Sequence, residues 1–337
     1  MATIRQIALK AGVSHMTVSN ALNGRAKGLR PDAVERARHI RQLADQMGYR
    51  PNAAARSMTD GRTRTVAVAI RDERFGYDAL LGMNRVVESA GYALALVPMD
   101  DIVRDDEPKS RLFSERMVDA LAVLNCSAED LQRLDERLPD LSGRTVYVDT
   151  NRFGRSGCIR RDEVAAGGTA AGELVRLGYR RVLYIDRPDE VVTYCFGERR
   201  EGAQQACQNA GVDFDRRPVA WFRSGQRDSG LLQRLADELD ASTAVLTSDA
   251  SMARVTQLIW SQRRLVAGLD YALASCDETA EETYLWPQLS RVSFNRMAMG
   301  ELAGEMLLQT LNGGRSVRST KVAGQWLPGE TARAVKV

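Results

Sequence analysis

The sequence predicts a small all-α head followed by an α/β body of two lobes, each built on a doubly wound parallel sheet. Residues 3–23 contain two short stretches of helical periodicity, whereas from Thr65 onward short apolar, β-rich runs alternate with helical stretches. The length of 337 residues suits more than one domain. Charge divides at the same place: residues 1–64 hold 12 Lys and Arg against 4 Asp and Glu, and the remainder holds 35 against 40. A basic head on a mildly acidic body is typical of a nucleic-acid-binding domain joined to another domain.

Apolar residues three and four positions apart indicate the first helix of the head. They are Ile4, Ile7, Ala8 and Ala11. Thr3 suits its N-cap and Gly12 its C-cap, and Ser14 can cap a second helix after the turn. The inner face of that second helix is Val18, Ala21 and Leu22. Two short helices around a tight glycine turn are typical of a helix-turn-helix, whose second helix enters the major groove of DNA, although the spacing alone also fits an ordinary helical hairpin.

The outer face of the second helix favours DNA binding. It carries small or hydrogen-bonding side chains and no acid: His15, Met16, Thr17, Ser19 and Asn20. Such a face can lie against phosphates and base edges. A third helix is predicted from about Pro31 to Met47, with an inner face formed by Val34, Ala37, Ile40, Leu43, Ala44 and Met47. The basic loop 24–29 between these helices either reaches phosphates or is solvated.

Residues 49–64 are predicted to link head and body. The segment from Ala53 to Met58 favours helix, and Asp60 and Gly61 end it. About two helical turns are too short to be stable alone in water. A flexible tether is the alternative interpretation.

Cysteine and histidine usage excludes several kinds of site. The five cysteines, at 126, 158, 195, 207 and 276, form no C-x-x-C pair, which fits reduced thiols in a cytosol. His15 and His39 both belong to the head, so we expect no metal site and no histidine-based acid–base chemistry in the body. We also expect no cofactor, no signal peptide and no membrane span.

Two successive sets of alternating elements predict the two lobes of the body. The first has strands at 65–70, 92–98, 120–125 and 145–149, with helices at 79–90 and 110–118. The second has strands at 182–185, 218–221, 244–248 and 265–270, with helices at 163–177, 198–210, 228–239 and 250–262. Such alternation is typical of β-α-β units on a parallel sheet. Because open α/β sheets bind ligands at the carboxyl ends of their strands, the residues after each strand are candidates for a cleft between the lobes.

Two strings carry a resemblance to a known family. AGVSHMTVSNALNG at 11–24 and MGYRPNAAARSMTDGRTRTVAVAI at 47–70 resemble the lactose-repressor (LacI/GalR) family of bacterial transcription regulators. The resemblance implies a helix-turn-helix domain at 1–48, a hinge helix at 49–64 and a periplasmic-binding-protein-like body at 65–337. Lobe 1 then takes about 65–157 and 290–318, and lobe 2 about 158–289 and 319–337.

The resemblance also implies how the head binds DNA. Two heads of a homodimer occupy a pseudo-palindromic double-stranded operator, and paired hinge helices enter the minor groove with an apolar wedge, for which this chain has Met58. Where the family more often has Arg, this chain has Asn20, which favours adenine. The residues expected at DNA are Thr3, His15, Met16, Thr17, Ser19, Asn20, Asn23, Asn52, Ala53 and Met58. Among them, Thr3, Thr17, Ser19 and Asn23 are expected to hold phosphates.

The body is implied to bind a small effector, expected to be a sugar or sugar derivative. E-R-R-E-G at 198–202 matches the family's R-x-x-G element, which puts Arg199 on a sugar hydroxyl. The residues expected around the effector are Asp72, Phe75, Tyr77, Asp149, Arg199, Ser248, Asp270 and Trp286. Arg199 with Asp149 and Asp270 suits an uncharged, hydroxyl-rich ligand, because donors and acceptors bracket vicinal hydroxyls. Phe75 and Tyr77 fit the lobe core equally well, and each acid taken singly fits a solvated or capping carboxylate.

The sequence therefore predicts an effector-controlled transcription repressor in the bacterial cytoplasm, at the nucleoid. A ligand-binding sensor without an operator is the alternative. An enzyme is not expected, since G-x-S-x-G, H-E-x-x-H, P-loop and G-x-G-x-x-G motifs are missing from the sequence. A dimer is expected rather than a tetramer, because no leucine heptad tail precedes Val337.

Overall fold

The computed structural model describes residues 2–23, 31–50, 61–71, 76–104, 110–154, 157–188, 194–220, 229–240, 242–278, 286–313 and 318–335. The chain divides into two units, Met1–Thr63 and Arg64–Val337. The second unit begins one residue before Thr65, where strand periodicity begins in the sequence. In the described part of the chain, no helix is long and apolar enough to cross a membrane.

The head helices are α1 (Ile4–Ala11), α2 (His15–Leu22) and α3 (Pro31–Gln46). A capping box starts α1, because the Thr3 hydroxyl accepts a hydrogen bond from the Gln6 amide and the Gln6 side chain accepts one from the Thr3 amide. Gly12 ends α1 with φ 64°, in the left-handed region that suits glycine. Ser14 caps α2. The buried side chains among the three helices are Ile7, Ala8, Val18, Ala21, Ala37, Ile40, Leu43 and Ala44.

The prediction that Val34 lies on the buried face of α3 is wrong. Its side chain belongs to the first turn of the helix and is 41% exposed. The buried residues of α3 lie between Ala37 and Ala44, because α1 and α2 pack on the later turns. The apolar spacing of α3 therefore begins one turn before its buried face does.

The body alternates strands and helices along the chain. The strands are β1 (Thr65–Ile70), β2 (Ala93–Pro98), β3 (Ala120–Leu124), β4 (Thr145–Val148), β5 (Cys158–Arg161), β6 (Arg181–Asp186), β7 (Asp213–Pro218), β8 (Thr243–Thr247), β9 (Ala272–Ser275), β10 (Ser290–Ser293), β11 (Thr320–Val322) and β12 (Gln325–Leu327). The helices are α4 (Tyr77–Ser89), α5 (Asp100–Val103), α6 (Arg111–Ser114), α7 (Ala128–Arg137), α8 (Glu163–Arg176), α9 (Tyr194–Asn209), α10 (Ser229–Leu235), α11 (Ala250–Ser261) and α12 (Arg296–Leu311). Short 3₁₀ turns cover Pro139–Arg144 and Ala236–Glu238.

The strands form two sheets, which define lobe 1 and lobe 2. The sheet of lobe 1 has the order β11-β5-β4-β3-β1-β2 and that of lobe 2 the order β12-β10-β9-β8-β6-β7. The strand pairs are parallel, except that β12 runs antiparallel to β10. Helices α4 and α12 pack on one face of the first sheet, and α8 and α9 on one face of the second. Apolar residues of β1, β3, β6 and β8 are buried on both faces, as expected for central parallel strands.

The chain crosses between the lobes three times, and each crossing lies four residues later than predicted. β5 still belongs to lobe 1, β10 to lobe 2 and β11 to lobe 1, so the crossings follow Arg161, Ser293 and Val322. Each of these three strands pairs with the sheet of one lobe, and the chain passes to the other lobe only after the strand ends. The three connections therefore lie at the junction between the lobes.

Two predicted strands of lobe 2 are misplaced. The apolar run 218–221 predicts a strand, but β7 ends at Pro218 and is mostly polar, because it is an edge strand whose side chains are partly exposed. The run 265–270 also predicts a strand, whereas it forms a turn in which the Gly268 amide donates to the Tyr271 carbonyl at 2.8 Å. The strand that follows is β9. In lobe 1, the helix predicted at 110–118 is limited to the single turn of α6.

Candidate functional site

The outer face of α2 is open to solvent. Met16 is 67% exposed, His15 is also exposed, and Asn20 is half-buried. The first turn of α2 holds no acid, and neither does the rest of the helix. Arg41 of α3 donates from Nε to the Ala21 carbonyl at 2.9 Å, which ties α2 to its supporting helix. The helix therefore presents hydrogen-bonding groups to a polyanion without repelling it.

Hydrogen bonds within the head fix the side chains that are predicted to hold phosphates. The Thr3 hydroxyl caps α1, and Thr17 Oγ1 lies 2.8 Å from Ser14 Oγ. Asn23 Nδ2 donates to Ser19 Oγ at 3.3 Å. These contacts orient the hydroxyl groups at the two ends of α2 and at the start of α1. Their role at phosphates stays a prediction.

In lobe 2, two glycines allow α8 and α9 to pack with their backbones in contact. A Cβ atom at Gly167 would overlap the Arg199 carbonyl, and one at Gly202 would overlap the Val164 carbonyl. Glu163 lies about one turn before Gly167, and Arg199 about one turn before Gly202. The close approach of the two helices therefore brings the side chains of Glu163 and Arg199 into contact. Arg199 Nε and Nη2 donate to the two carboxylate oxygens of Glu163 at 2.6 and 2.9 Å. In this chain, helix packing explains the spacing of Arg199 and Gly202 in the R-x-x-G element.

Asp277, just after β9, is the centre of a buried ion-pair network. Its Oδ2 accepts from Arg161 Nη1 at 2.5 Å and from Arg199 Nη2 at 2.7 Å. Its Oδ1 accepts from Arg296 Nη2 at 2.6 Å and from the Glu278 amide at 2.8 Å. Burial alone raises the pKa of Asp277, but the three arginine charges outweigh burial and hold that pKa well below its usual range. Asp277 is therefore an ionised carboxylate inside the protein.

Arg161 connects the two lobes through this network. It ends β5 of lobe 1 and reaches Asp277 of lobe 2. Its Nη2 lies 3.1 Å from Glu163 Oε1, and its Nε lies 3.1 Å from Asp149 Oδ2 without good hydrogen-bond geometry. Tyr194 of lobe 2 donates to Asp149 Oδ1 at 3.0 Å, which is a second connection between the lobes. Charged and polar groups of both lobes therefore meet where the chain crosses.

The network extends to the carboxyl end of β8. Arg199 Nη1 donates to the Ser248 carbonyl at 2.7 Å. Asp249 accepts from the Met252 amide at 3.0 Å as the N-cap of α11, and from Arg187 Nε at 3.2 Å. The hydroxyl of Ser248 lies 3.4 Å from Asp249 Oδ2. Ser248 therefore acts on Arg199 through its backbone, and Asp249 is a capping carboxylate.

The charged groups of this network suit the binding of a polar ligand. Paired carboxylates and guanidinium groups offer acceptors and donors side by side, in fixed positions. All five cysteines are free and buried, and burial raises the pKa of Cys158 to about 11 and of Cys276 to about 12, so these thiols stay protonated at neutral pH. Among the residues that the structure describes, no cluster of three His, Cys, Asp or Glu side chains could hold a metal ion.

The structure brings three predicted effector residues into one network: Asp149, Arg199 and Ser248. Two others lie on the surface, since Tyr77 is 64% exposed and Trp286 is 78% exposed. The alternative that Tyr77 packs in the lobe core is therefore wrong. Five predicted site residues lie outside the described residues: Asn52, Ala53, Met58, Asp72 and Phe75.

The prediction that Asp270 stands at a strand end facing the cleft is wrong. Asp270 is exposed and precedes β9, and its Oδ2 accepts from the Val266 amide at 2.7 Å within a turn. In a parallel sheet the amino ends of the strands lie at the edge opposite the ligand edge. The acid at the carboxyl end of β9 is Asp277.

Sequence reasoning missed four members of the network: Arg161, Glu163, Asp277 and Arg296. Asp277 could have been found, because the run ALAS at 272–275 is a buried strand followed by Cys and Asp. Arg161, Glu163 and Arg296 lie next to crossings between the lobes, which were predicted at other positions. Their roles depend on how the two lobes meet, and no local pattern shows that.

Comparisons with known proteins agree with this division into head and body. Residues 3–52 match the family model described as bacterial regulatory proteins, lacI family, and residues 171–331 match the periplasmic binding protein-like domain. The chain is 24% identical over 326 residues to the HTH-type transcriptional regulator RegA of Clostridium saccharobutylicum, with 93% of each chain covered. It is 24% identical over 320 residues to the ribose operon repressor of Escherichia coli, with 92% of this chain and 93% of that one covered.

Two solved structures align with nearly the full length of this chain. The Lac repressor dimer bound to operator and the anti-inducer ONPF aligns with a TM-score of 0.74 and 16% identity, over 99% of both chains. The complex of the transcriptional regulator CelR with cellobiose aligns with a TM-score of 0.65 and 18% identity, over 98% of this chain and 100% of that one. At such identities the likeness concerns architecture.

Proposed function

Because the chain belongs to the LacI family of bacterial regulatory proteins, we propose that it is a repressor that binds a pseudo-palindromic operator as a homodimer. DNA-binding transcription regulation is the activity of the head. A small effector, a sugar or sugar derivative, binds between the lobes and changes operator affinity. The regulator acts in the cytoplasm, on the bacterial nucleoid. We assign no catalytic role to the body.

The outer face of α2 is the observation that carries this proposal. It is exposed, hydrogen-bonding and free of acids, in a head whose first 64 residues carry a net charge of +8. His15, Met16 and Asn20 face base edges, where Asn20 prefers adenine by about 1–3 kcal/mol over a wrong base. A two-fold dimer presents two such helices, which requires an operator with two related half-sites.

The ion-pair network around Asp277 supports an effector site at the junction of the lobes. Asp149 and Arg161 come from lobe 1, whereas Arg199 and Asp277 come from lobe 2, so a ligand there contacts both. The CelR complex contains cellobiose, and one relative is named a ribose operon repressor. These names support a carbohydrate effector for this chain.

Selection of random duplexes by the purified full-length protein tests the proposal, with a panel of sugars and sugar derivatives present in parallel. We expect a palindromic sequence to be enriched and one class of compound to weaken or strengthen that enrichment. A lack of enrichment under every condition contradicts operator binding and leaves a ligand-binding protein.

Replacement of Asn20 tests the orientation of α2 in the groove. For Asn20→Arg we expect a changed base preference at one position in each half-site, because arginine pairs with guanine rather than adenine. Gln42→Arg adds the same charge on the exposed face of α3, and there we expect tighter binding to all duplexes without a changed preference. An unchanged preference for Asn20→Arg contradicts this docking.

A further inference from the structure

The carboxylate of Asp277 is fully occupied by donors of the protein. A carboxylate has about four lone-pair positions, two on each oxygen. Four donors fill them, namely Arg161 Nη1, Arg199 Nη2, Arg296 Nη2 and the Glu278 amide, at 2.5, 2.7, 2.6 and 2.8 Å. A ligand that binds this carboxylate must therefore displace one of the four.

Arg161 is the donor that can withdraw. Arg199 is fixed within lobe 2 by both oxygens of Glu163 and by the Ser248 carbonyl. Arg296 belongs to lobe 1, at the start of α12, and is held to lobe 2 by a further hydrogen bond, from Nη2 to the Glu278 carbonyl at 3.3 Å. Arg161 also comes from lobe 1, at the last position of β5, but its Nε is buried without a hydrogen bond. Rotation of its side-chain bonds removes its guanidinium group from Asp277 and leaves the three carboxylates in place.

The surroundings of the Arg161 guanidinium group have the chemistry of a cation site. Each of its three nitrogens faces a different carboxylate, from Asp149, Glu163 and Asp277, at 3.1, 3.1 and 2.5 Å. Its Cζ lies 5.4 Å from the ring centroid of the buried Phe294. Carboxylates together with an aromatic face bind ammonium and guanidinium groups.

Charge balance points to the same chemistry. Four carboxylates, of Asp149, Glu163, Asp277 and Glu278, are matched by four guanidinium groups, of Arg161, Arg199, Arg291 and Arg296. Without Arg161 one negative charge stays uncompensated in a buried place, which is strongly unfavourable. A neutral ligand does not restore the balance, whereas a cationic one does.

We propose that Arg161 is a tethered occupant of a cation cage formed by Asp149, Glu163, Asp277 and Phe294, and that this cage binds an ammonium or guanidinium group of a ligand when Arg161 withdraws. The proposal rests on the proposed effector site, of which the cage is one part. Ligand entry displaces Arg161 from Glu163 and Asp277, so that the ligand replaces one of the connections between the lobes.

The test uses the full-length protein with Arg161→Ala, probed with methylguanidinium chloride and with N-methylurea, a neutral planar molecule of similar shape. We expect the variant to melt below the wild type, and millimolar methylguanidinium to raise its melting temperature along a saturation curve. N-methylurea is expected to leave the variant unchanged. The wild type, with its cage filled, is expected to show no rise with either probe. Arg85→Ala removes an exposed ion pair with Glu301 in lobe 1 and controls for the loss of an arginine.

The proposal is overturned if methylguanidinium does not raise the melting temperature of Arg161→Ala, if it raises that of the wild type equally, or if N-methylurea acts as well. Should Arg161→Ala not fold, Arg161→Lys and Arg161→Met decide instead. If the cage binds cations, Arg161→Lys melts at a higher temperature than Arg161→Met, because lysine keeps the positive charge. Equal melting temperatures of the two variants contradict the proposal. Operator binding is measured on the same wild-type preparation, because its loss contradicts the proposed function while the result for the cage stands.

Discussion

Lobe 1 and lobe 2 share a strand order, yet their helix pairs carry different side chains. In lobe 2, α8 and α9 meet at Gly167 and Gly202, and the side chains that this contact joins are Glu163 and Arg199. In lobe 1, α4 and α12 meet in the same way, since a Cβ atom at Gly300 would overlap the Ala79 carbonyl. The ion pair between these two helices, Arg85 with Glu301 at 2.9 Å, is exposed.

Close contact between paired helices at glycine therefore serves two purposes in the molecule. Close helix contact builds only the apolar core of lobe 1, whereas in lobe 2 it also fixes the polar groups of the candidate site. Lobe 2 holds Glu163, Arg199 and Asp277 in place by bonds within the lobe, and lobe 1 reaches them with Arg161. The site is therefore built on one lobe and completed by the other.

The largest expected effect on the free energy of unfolding comes from the ion pairs of the two helix pairs. Arg199→Met leaves Glu163 and Asp277 buried with fewer partners, and we expect the free energy of unfolding to fall by about 3–5 kcal/mol. Arg85→Met removes the corresponding exposed pair in lobe 1, and we expect a change of about 0–1 kcal/mol. Urea unfolding at pH 7 measures both. Similar losses for the two variants contradict the difference between the lobes.

The glycine contacts give the next largest effect. Gly202→Ala in lobe 2 and Gly300→Ala in lobe 1 both force the paired helices apart, and we expect each to cost about 1–3 kcal/mol in the free energy of unfolding. Gly172 of α8 is the matched control, because a Cβ atom there meets nothing within 4 Å. Gly172→Ala is expected to stabilise the chain by about 0.5–1 kcal/mol through helix propensity. A stable Gly202→Ala variant contradicts the packing explanation of R-x-x-G.

The smallest expected effect concerns acid stability at the edge of lobe 2. Hydrogen bonds from Arg217, and further ones from Arg181, hold the pKa of Asp215 at about 2, below the ordinary 3.8. The folded chain keeps this carboxylate ionised where the unfolded chain binds a proton. Its contribution to stability is therefore complete above about pH 4 and is lost as the pH falls toward 2. Urea unfolding between pH 5 and pH 2.5 is expected to show a smaller decline for Asp215→Asn than for the wild type, and equal declines contradict the assignment.

The head was predictable because its signals are local. Thr3, Gly12 and Ser14 act within one helical turn of themselves, so their residue types alone indicate where α1 and α2 begin and end. The central strands β1, β3, β6 and β8 were predictable for a similar reason, since strands buried on both faces need continuous apolar runs.

The candidate site was less predictable because it depends on contacts between distant segments. β7 is a polar edge strand, so its sequence lacks the apolar run that indicates a strand. The turn before β9 is apolar and was therefore predicted as a strand ending at Asp270. Arg161 and Glu163 lie next to a crossing between the lobes, and their partners Asp149 and Asp277 are distant in sequence. Nothing in the local sequence distinguishes such residues from solvated charges.

We propose that the head binds the operator and that the network in the body controls this binding. The most direct test compares the operator affinity of the wild type and of Arg199→Lys, with and without a panel compound that changes wild-type affinity. Lysine cannot hold both oxygens of Glu163 as arginine does. We predict that the variant binds operator like the wild type and loses the response to the compound. A response of wild-type size in Arg199→Lys, or loss of operator binding by a folded variant, would contradict control by the network.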